Sequence, residues 1–404
     1  MTGLSILSVA RTLPIHGRGG MEQASWNLAR ALAREGADVT LLTTAVDHRA
    51  HVWEEDGISV HAIEYVPQRL RSKPRYRWWA YFAPAAARYA RTLGLVSDVI
   101  HSQSLYASGF LRAHPRPPVV VTLHGTPMGD YLGATREKLI QEVGPYHPRR
   151  LLQWAAVRWS TGQAVSILRE VDAIVAVSAV VAGMAPGVPS DDPRLSVIPN
   201  GIDPERFPWM ERSSARTSLG LPGDATILSF LGRLEEYKGV GRLLDILPQI
   251  PEAHLLLAGE GSYSDAARRR ARDPSIQDRV HVLGDIPDHQ RPALLAASDL
   301  VCLPSQMEGQ PVSLLEALAM GTPIATTRPW LPDELLPFAI VDNDLETMLK
   351  AGLALSRTFD RRRAREIVFK SFAWDRIARR YLDLFERLRS SKRTVAAPMV
   401  DGAR

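Results

Sequence analysis

Short apolar runs alternate along this chain with segments whose apolar residues have helical spacing. The clearest helix is Met21 to Arg34, and Gly36 is placed to end it. Such an alternation is typical of βα units, whose strands pair in parallel. The sequence therefore predicts an α/β protein with strands at Ile6 to Ala10, Val39 to Thr43, Asp98 to His101, Val119 to His124, Ala173 to Ser178, Ser196 to Pro199, Thr226 to Leu231, His254 to Ala258, Val280 to Leu283, Leu300 to Leu303, Pro323 to Thr326 and Ala339 to Val341.

A turn-rich segment divides this alternation in two. Residues 199–204 read PNGIDP, a cluster of turn formers that is typical of a linker. A length of 404 residues fits two or three domains at roughly 150 residues each. We predict two doubly wound α/β domains of similar size over residues 1–200 and 201–371, a final helix over 372–390 and a disordered tail over 391–404.

Composition restricts the class of protein. Hydrophobic residues make up 45% of the chain and charged residues 23%, which excludes a disordered or fibrous protein. The one cysteine, Cys302, excludes a disulfide framework and a multi-cysteine zinc site, and it indicates a reducing cytoplasm. The longest apolar run, Ala173 to Ala185, is too short for a spanning helix, and Leu4 to Ala10 lacks the marks of a signal peptide. The net charge of +5 suits acidic lipid, nucleic acid or a phosphorylated small molecule.

A glycine-rich segment separates the first predicted strand from the first helix. Residues 16–22 read HGRGGME, and the amides of such a loop at a helix start suit a phosphate. A tight turn without a ligand fits the glycines alone equally well. The dinucleotide fingerprint fails, because its last glycine position falls on Glu22, so nicotinamide chemistry is disfavoured.

Two charged segments follow strands in the second half. Residues 232–239 read GRLEEYKG, where Arg233 offers a planar fork and Lys238 a point charge, a pair that suits a diphosphate. Residues 304–317 read PSQMEGQPVSLLEA, and Glu308 lies in the loop while Glu316 lies in the helix opened by Pro311. A carboxylate there accepts hydrogen bonds from a ribose diol or a sugar hydroxyl. A solvated loop and an ordinary solvated helix are the structural alternatives.

His124 ends a very apolar predicted strand and is followed by Gly125. A lone histidine is more often structural. Ligands of open α/β sheets, however, bind at the carboxyl ends of strands, which favours a contact with substrate.

Taken in order, these motifs resemble those of the retaining, nucleotide-sugar-dependent glycosyltransferases of family 4, often called glycosyltransferase group 1. The match spans about residues 4 to 390 and runs through Gly19-Gly20-x-Glu22, His124-Gly125, PNGID at 199–203, GRL and KG within 232–239, Glu308 to Glu316, and AMGTP at 319–323. The resemblance implies a GT-B fold, with two Rossmann-like domains facing across a deep cleft and the last helix crossing back to the first domain.

The resemblance also implies roles for single residues. Arg233 and Lys238 would bind the donor diphosphate, which the amides of Gly19 and Gly20 would also approach. Glu316 would bind the nucleotide ribose. The catalytic pair would be His124 and Glu308, both in contact with the donor sugar, while the backbone of Gly309, Gln310, Pro311 and Val312 would contact the sugar or its phosphate.

The implied reaction moves a hexosyl-type sugar from a UDP- or GDP-sugar to a hydroxyl of a glycan, lipid-linked or small-molecule acceptor. It would retain the anomeric configuration by a front-face mechanism. The resemblance implies no metal, which agrees with the lack of an Asp-x-Asp motif near these segments. A nucleotide-sugar epimerase or phosphorylase on the same fold is the alternative. A nucleic-acid-binding module rests on a pI of about 9.4 alone, so we predict no nucleic-acid partner.

Two segments depart from the pattern or extend it. Residues 328–334 read RPWLPDE where the family usually has a Gly-Gly-x-Pro-Glu-like turn, and Trp330 there is either a stacking face or a packed aromatic. Residues 69–91 are basic and aromatic. They either contact the inner face of an anionic membrane as part of a cytoplasmic protein or form a crossover helix with core aromatics and a solvated basic face.

Overall fold

The computed structural model of the chain describes residues 3–17, 19–46, 49–64, 79–113, 115–126 and 148–396. These residues divide into two compact units. The first holds the described residues up to 126, residues 160–201 and the chain from 374 on, and the second holds residues 148–159 and 202–373. Each unit is built on one sheet.

The sheet of the first unit has eight strands in the order β3-β4-β2-β1-β5-β6-β7-β8. Every pair is parallel except β3 with β4. In the register of the centre, Ile6 lies between Val39 and Val99. The strands are β1 (Ser5–Val9), β2 (Asp38–Thr44), β3 (His51–Glu55), β4 (Ile58–Ile63), β5 (Val99–Gln103), β6 (Val119–Leu123), β7 (Ala173–Ala176) and β8 (Leu195–Val197).

Helices cover both faces of this sheet. The alternation of side chains along β1 places Ile6 in the core on one face and Leu7 in the core on the other. Both faces are therefore buried, which explains the continuous apolar runs of the central strands. The helices are α1 (Gly20–Arg34), α2 (Trp79–Thr92), α3 (Pro148–Glu170), of which residues 160–170 belong to this unit, and α4 (Ala179–Gly183).

The hairpin of β3 and β4 is absent from the predicted strands. Its two-residue turn is Asp56-Gly57, and both residues have positive φ, 54° and 77°. Asp-Gly in such a turn is a strong hairpin signal, because type I′ geometry requires positive φ at both positions. The signal was therefore present in the sequence, while the polar composition of β3 hid the strand itself.

The second unit has a six-stranded sheet in the order β11-β10-β9-β12-β13-β14, parallel throughout. Its strands are β9 (Thr226–Leu231), β10 (Ala253–Ala258), β11 (Val280–Gly284), β12 (Leu300–Leu303), β13 (Ile324–Thr326) and β14 (Ala339–Val341). Its helices are α5 (Arg212–Ser218), α6 (Val240–Ile246), α7 (Ser264–Arg270), α8 (Arg291–Ala297), α9 (Val312–Ala319), α10 (Leu345–Arg357) and α11 (Arg361–Phe372). The predicted α/β class with parallel sheets is confirmed.

The last helix, α12 (Trp374–Ala396), packs within the first unit. Its buried Trp374, Tyr381 and Phe385 join the core that α1 shares with the sheet. The helix continues six residues past 390, where we predicted its end, because residues 391–396 contain neither glycine nor proline. The rest of the predicted tail, 397–404, lies outside the described residues.

Part of the basic aromatic segment is helix α2. Phe82 is fully buried and Tyr89 shares a hydrogen bond of 3.1 Å with His61, whereas Arg88 and Arg91 are exposed. In this part, core aromatics and a solvated basic face fit a crossover helix. Residues 69–78 lie outside the described residues. Every helix within the described residues is either too short or too polar for a membrane span.

A substitution at Gly201 tests how Trp374, at the start of α12, packs in the first unit. A Cβ on Gly201 would lie 2.6 Å from Cδ2 of Trp374, whose ring is buried. We expect Gly201→Ala to lower the free energy of unfolding by about 1–3 kcal/mol, as overpacking does in other cores. The measurement is urea denaturation. The matched control is Gly223→Ala, whose Cβ would meet no atom within 4 Å. Equal denaturation midpoints for the two variants would contradict this packing.

Candidate active site

The sheet of the second unit reverses its strand order between β9 and β12. From β9 the chain continues outward to β10, while β12 lies on the opposite side of β9. Such a switch point is where open α/β sheets bind ligands, in the loops at the carboxyl ends of the strands. The loops that follow β9 and β12 are tied together here, because the Gln306 amide donates to the Tyr237 carbonyl over 2.8 Å.

Tyr237 organises the two predicted phosphate ligands. Nη2 of Arg233 donates to the Tyr237 hydroxyl over 3.2 Å, and Nζ of Lys238 lies 5.3 Å from the centre of the Tyr237 ring. The ring is buried, which anchors the loop, while the Arg233 side chain is exposed. The arrangement holds two cations at one strand end, where they are able to grip a diphosphate.

Lys238 and Glu308 form an ion pair across the two loops. Nζ of Lys238 lies 2.5 Å from Oε1 of Glu308, and the two side chains are only 14% and 8% exposed. Charges this far from water require a partner, since desolvation of either one alone costs several kcal/mol. The structure thus brings together two predicted site residues that are 70 positions apart.

Glycines let these loops approach each other. Gly239 adopts the left-handed region with φ 79°, and a Cβ there would strike the carbonyl of Pro304 at the start of the β12 loop. Gly259 follows β10 and has φ 130°. A Cβ there would strike the carbonyl of Gly232. Side chains at either position would force the loops apart.

Helix α9 begins directly after the β12 loop. Pro311 is its N-cap, so Gly309, Gln310 and Pro311 precede the helix and Val312 is its first residue. Amides at a helix start favour an anion. At the other end, Nε of Arg361 donates to the Gly321 carbonyl over 3.1 Å and Nη1 of Arg365 to the Ala319 carbonyl over 2.6 Å. Both arginines thus cap the C-terminus of the helix that carries Glu316.

Glu316 is buried in the middle of α9. Its Oε1 accepts a hydrogen bond of 3.0 Å from Nη1 of Arg291, at the start of α8. Burial raises the pKa of Glu316, and the nearby Arg291 and Arg206 oppose that rise. Arg206 reaches this group through Asp288, whose Oδ2 lies 2.6 Å from Nη2 of Arg206. The predicted ribose ligand is therefore one end of a chain of four charged side chains.

In the first unit, the glycine-rich loop holds a carboxylate of its own. Oε1 of Glu22 accepts a hydrogen bond of 2.9 Å from the Thr12 hydroxyl, and the carboxylate lies where a Cβ of Gly19 would be. Gly19 is the N-cap of α1 and Gly20 its first residue. The Glu22 carboxylate therefore complements the positive end of the helix.

His124 follows β6 and is held by the neighbouring strand. Its Nε2 lies 2.7 Å from Oε1 of Gln103, at the end of β5. Nearby, the fully buried His101 has its Nε2 2.9 Å from the Thr122 hydroxyl, which lies 3.0 Å from the hydroxyl of Tyr381 on α12. Burial lowers the pKa of His124 to about 4 and that of His101 to about 3, so both imidazoles are neutral near pH 7.

Trp330 and one Asp-x-Asp sequence have structural explanations. Trp330 is fully buried, which makes it a packed aromatic. Asp342-Asn343-Asp344 follows the edge strand β14, where Oδ1 of Asp344 caps α10 by accepting from the Thr347 amide over 2.8 Å. Among the described residues, no three His, Cys, Asp or Glu side chains are grouped to hold a metal ion.

Two family models match this chain in succession. The model described as "Glycosyltransferase Family 4" matches residues 18–206, and that described as "Glycosyl transferases group 1" matches residues 211–336. The second range holds Arg233, Lys238, Glu308 and Glu316. The chain belongs to the group 1 and family 4 glycosyltransferases. The predicted family is confirmed.

Relatives and solved structures agree with this family. A glycosyltransferase of Methanocaldococcus jannaschii with no characterised activity is 24% identical, over 91% of this chain and 94% of its own length. A glycogen synthase of Mycobacterium tuberculosis is 28% identical, over 80% and 78%. The structure of sucrose-phosphate synthase from Thermosynechococcus elongatus superposes with a TM-score of 0.75 at 21% identity, over 96% and 100%. Anabaena HepE in complex with UDP-glucose gives 0.69 at 17%, over 95% and 100%. These likenesses confirm the predicted GT-B fold of the glycosyltransferase.

Three residues that fix the site side chains of this glycosyltransferase were not predicted from the sequence. Tyr237 lies within the GRLEEYKG segment at 232–239. The spacing of that segment does not show that the Tyr237 hydroxyl contacts Arg233 or that its ring lies near Lys238. Gln103 lies two positions beyond the predicted strand Asp98 to His101, and a polar residue there is only a weak signal for the carboxyl edge of a sheet. Arg291 gives none, because it lies on a different helix 25 positions before Glu316.

The buried His101 and the half-buried His124 predict how the stability of the glycosyltransferase depends on pH. Both remain neutral in the folded unit down to about pH 4, whereas a histidine in the unfolded chain takes up a proton near pH 6.5. The unfolded state therefore binds more protons between these values, so stability is full above pH 6.5 and falls as the pH drops toward 4. We expect His124→Gln to reduce this slope by up to about 1.4 kcal/mol per pH unit.

The measurement is urea denaturation between pH 4.5 and 7, followed by circular dichroism. The control is His289→Gln, which changes an exposed histidine and should keep the slope of the wild type. A His124→Gln variant with an unchanged slope would show that the His124 imidazole is not kept neutral in the folded protein.

Proposed function

We propose that this glycosyltransferase moves a hexosyl-type sugar from a UDP- or GDP-sugar to an acceptor hydroxyl, with retention of configuration and without a metal. The observation that carries the proposal is the meeting of Arg233, Lys238 and Glu308 where strand order reverses, beside the start of α9. Two cations and a helix N-terminus are suited to a leaving diphosphate. The UDP-glucose held by HepE, a structural neighbour, supports this class of donor.

The proposed roles divide the donor among these groups. Arg233 and Lys238 hold the diphosphate, together with the backbone from Gly309 to Val312. Glu316 accepts hydrogen bonds from the ribose hydroxyls, since a buried carboxylate is a strong acceptor for a diol. Glu308 contacts the donor sugar.

In the first unit, we assign the amides of Gly19 and Gly20 to the phosphate and His124 to the donor sugar. Its imidazole is neutral near pH 7 and donates its Nε2–H to Oε1 of Gln103, so His124 offers the sugar the acceptor Nδ1 rather than a positive charge. Its contact with Gln103 fixes the ring. These assignments are the ones that the family resemblance of the sequence implies.

The proposed reaction takes place on one face of the sugar. The bond between the anomeric carbon and the diphosphate oxygen breaks, an oxocarbenium-like species forms, and the acceptor oxygen bonds to the same face. The acceptor proton passes to the leaving phosphate oxygen, so no protein base is required. Positioning of donor and acceptor and stabilisation of the leaving charge supply the rate.

The acceptor is a sugar, a lipid-linked molecule or a small molecule bearing a hydroxyl, and the enzyme works in the cytoplasm. If the acceptor is lipid-linked, we propose that residues 69–91 contact the inner face of the membrane. The buried Phe82 supports a structural role for the portion within α2.

Removing either phosphate ligand tests the proposal. A thermal-shift panel of UDP, GDP and ADP first identifies the nucleotide, because a ligand that binds the native state raises its melting temperature. With the matching sugar donor, we expect Lys238→Ala and Arg233→Ala each to lower kcat/KM by about 100-fold or more. Initial rates check this, with Lys350→Ala, an exposed lysine of α10, as the control. Values within a few-fold of the wild type would overturn the phosphate assignment.

Glu308→Gln separates binding from transfer. The substitution keeps the shape of the side chain but removes the charge that neutralises Lys238, which leaves the lysine fully available to phosphate. We expect the nucleoside diphosphate to bind at least as tightly as to the wild type, while kcat falls at least about tenfold as the contact to the sugar weakens. Calorimetry with UDP, GDP or ADP and initial rates measure the two effects. Weaker nucleotide binding with an unchanged kcat would contradict the assigned role.

A further inference from the structure

Arg291 occupies an electrostatically unfavourable position for a cation. It is the first residue of α8, where the positive end of the helix repels positive charge. Two carboxylates offset this repulsion, because its Nη1 lies 3.0 Å from Oε1 of Glu316 and its Nε lies 3.8 Å from Oδ1 of Asp288. The guanidinium is thus held between an exposed carboxylate and a buried one.

The buried carboxylate uses only one of its two oxygens in this contact. Among the described residues, the structure gives Oε2 of Glu316 no hydrogen-bond donor, although the side chain is only 6% exposed. A carboxylate at such a depth is costly to keep ionised. The available oxygen is able to accept a hydrogen bond from a ligand hydroxyl.

We propose that Arg291, oriented by Asp288, is the residue that positions Glu316 and keeps it ionised for the ribose hydroxyls of the donor nucleotide. This inference rests on the proposed function, in which Glu316 binds ribose. In this role, Arg291 makes no contact of its own with the donor. Its effect passes entirely through the carboxylate, which makes it a positioning residue.

The charged groups around Glu316 come from three elements. Arg291 begins α8, Asp288 lies in the short turn before it, and Arg206 contacts Asp288 from the turn that follows the linker. Helix α11 also packs against α9, but its Arg361 and Arg365 donate to carbonyls at the helix end. Arg291 is therefore the direct ion-pair partner of Glu316 among the described residues.

Nucleotide affinity as a function of pH tests this inference. The variants are Arg291→Met, Arg291→Lys, Glu316→Gln and the double variant Arg291→Met/Glu316→Gln. The probes are UDP, GDP and ADP, and calorimetry from pH 6 to 8.5 measures the Kd of whichever binds and of its 2′-deoxy counterpart. Lys350→Met is the matched control, because it breaks an exposed ion pair of the same unit.

Without its cation, the buried Glu316 should take up a proton more readily. We expect Arg291→Met to weaken binding at least tenfold at pH 6 and less at pH 8.5, while the wild type stays nearly level. Arg291→Lys should restore part of the loss. The double variant should bind no worse than Glu316→Gln alone, since both changes act on one contact. With the 2′-deoxynucleotide, the effect of Arg291→Met should shrink to a few-fold.

The outcomes separate this inference from the proposed function. If Glu316→Gln leaves the Kd of the ribonucleotide unchanged, the ribose assignment itself fails. If Glu316→Gln weakens binding while Arg291→Met does not, only the positioning role fails. A loss in Arg291→Met that is equal at every pH and equal for the 2′-deoxynucleotide would show a purely structural residue, and it would overturn the inference.

Discussion

The reversal of strand order between β9 and β12 is the constraint on which the candidate site depends. Parallel strands end at the same edge of a sheet, and hydrogen-bonded neighbours lie about 4.8 Å apart. Pairing of β9 with β12 therefore forces the loops that follow them into contact, however distant they are in the chain. Gly239 makes that contact close enough for Lys238 to reach Glu308. The ion pair between Lys238 and Glu308 thus depends on the strand order and on a glycine, with no side chain, at position 239.

Charge balance explains why the carboxylates of this site are stable where they lie. Glu308 and Glu316 are both largely removed from water, and each is matched by a cation from a different element, Lys238 and Arg291. Arg233 differs, because it contacts a neutral hydroxyl rather than a carboxylate. In the proposed donor complex, Arg233 therefore meets the phosphate without first releasing a carboxylate, whereas Lys238 exchanges one anionic partner for another.

The sequence was sufficient for features that depend on local pattern. Apolar runs located strands such as Thr226 to Leu231, and turn residues marked the loops that follow them, because burial and chain reversal select residue types directly. It was insufficient for the contacts that fix side chains in those loops. Tyr237 contacts Arg233 through its hydroxyl and lies near Lys238 through its ring. Arg291 binds Glu316 from another helix. Such contacts arise from packing, and one sequence does not record which elements pack together.

The spacing of Glu308 and Glu316 has a more specific meaning than the sequence alone allowed. Eight positions within one helix would place the two carboxylates on similar faces, about two turns apart. The sequence predicted instead that only Glu316 is helical, and the structure agrees, because helix α9 begins at Val312 and Glu308 lies in the loop before it. The first carboxylate is therefore oriented by the loop after β9, and the second by the start of α8. Two similar residues of one motif are thus held by separate groups, which agrees with the proposal that Glu308 contacts the donor sugar and Glu316 the ribose.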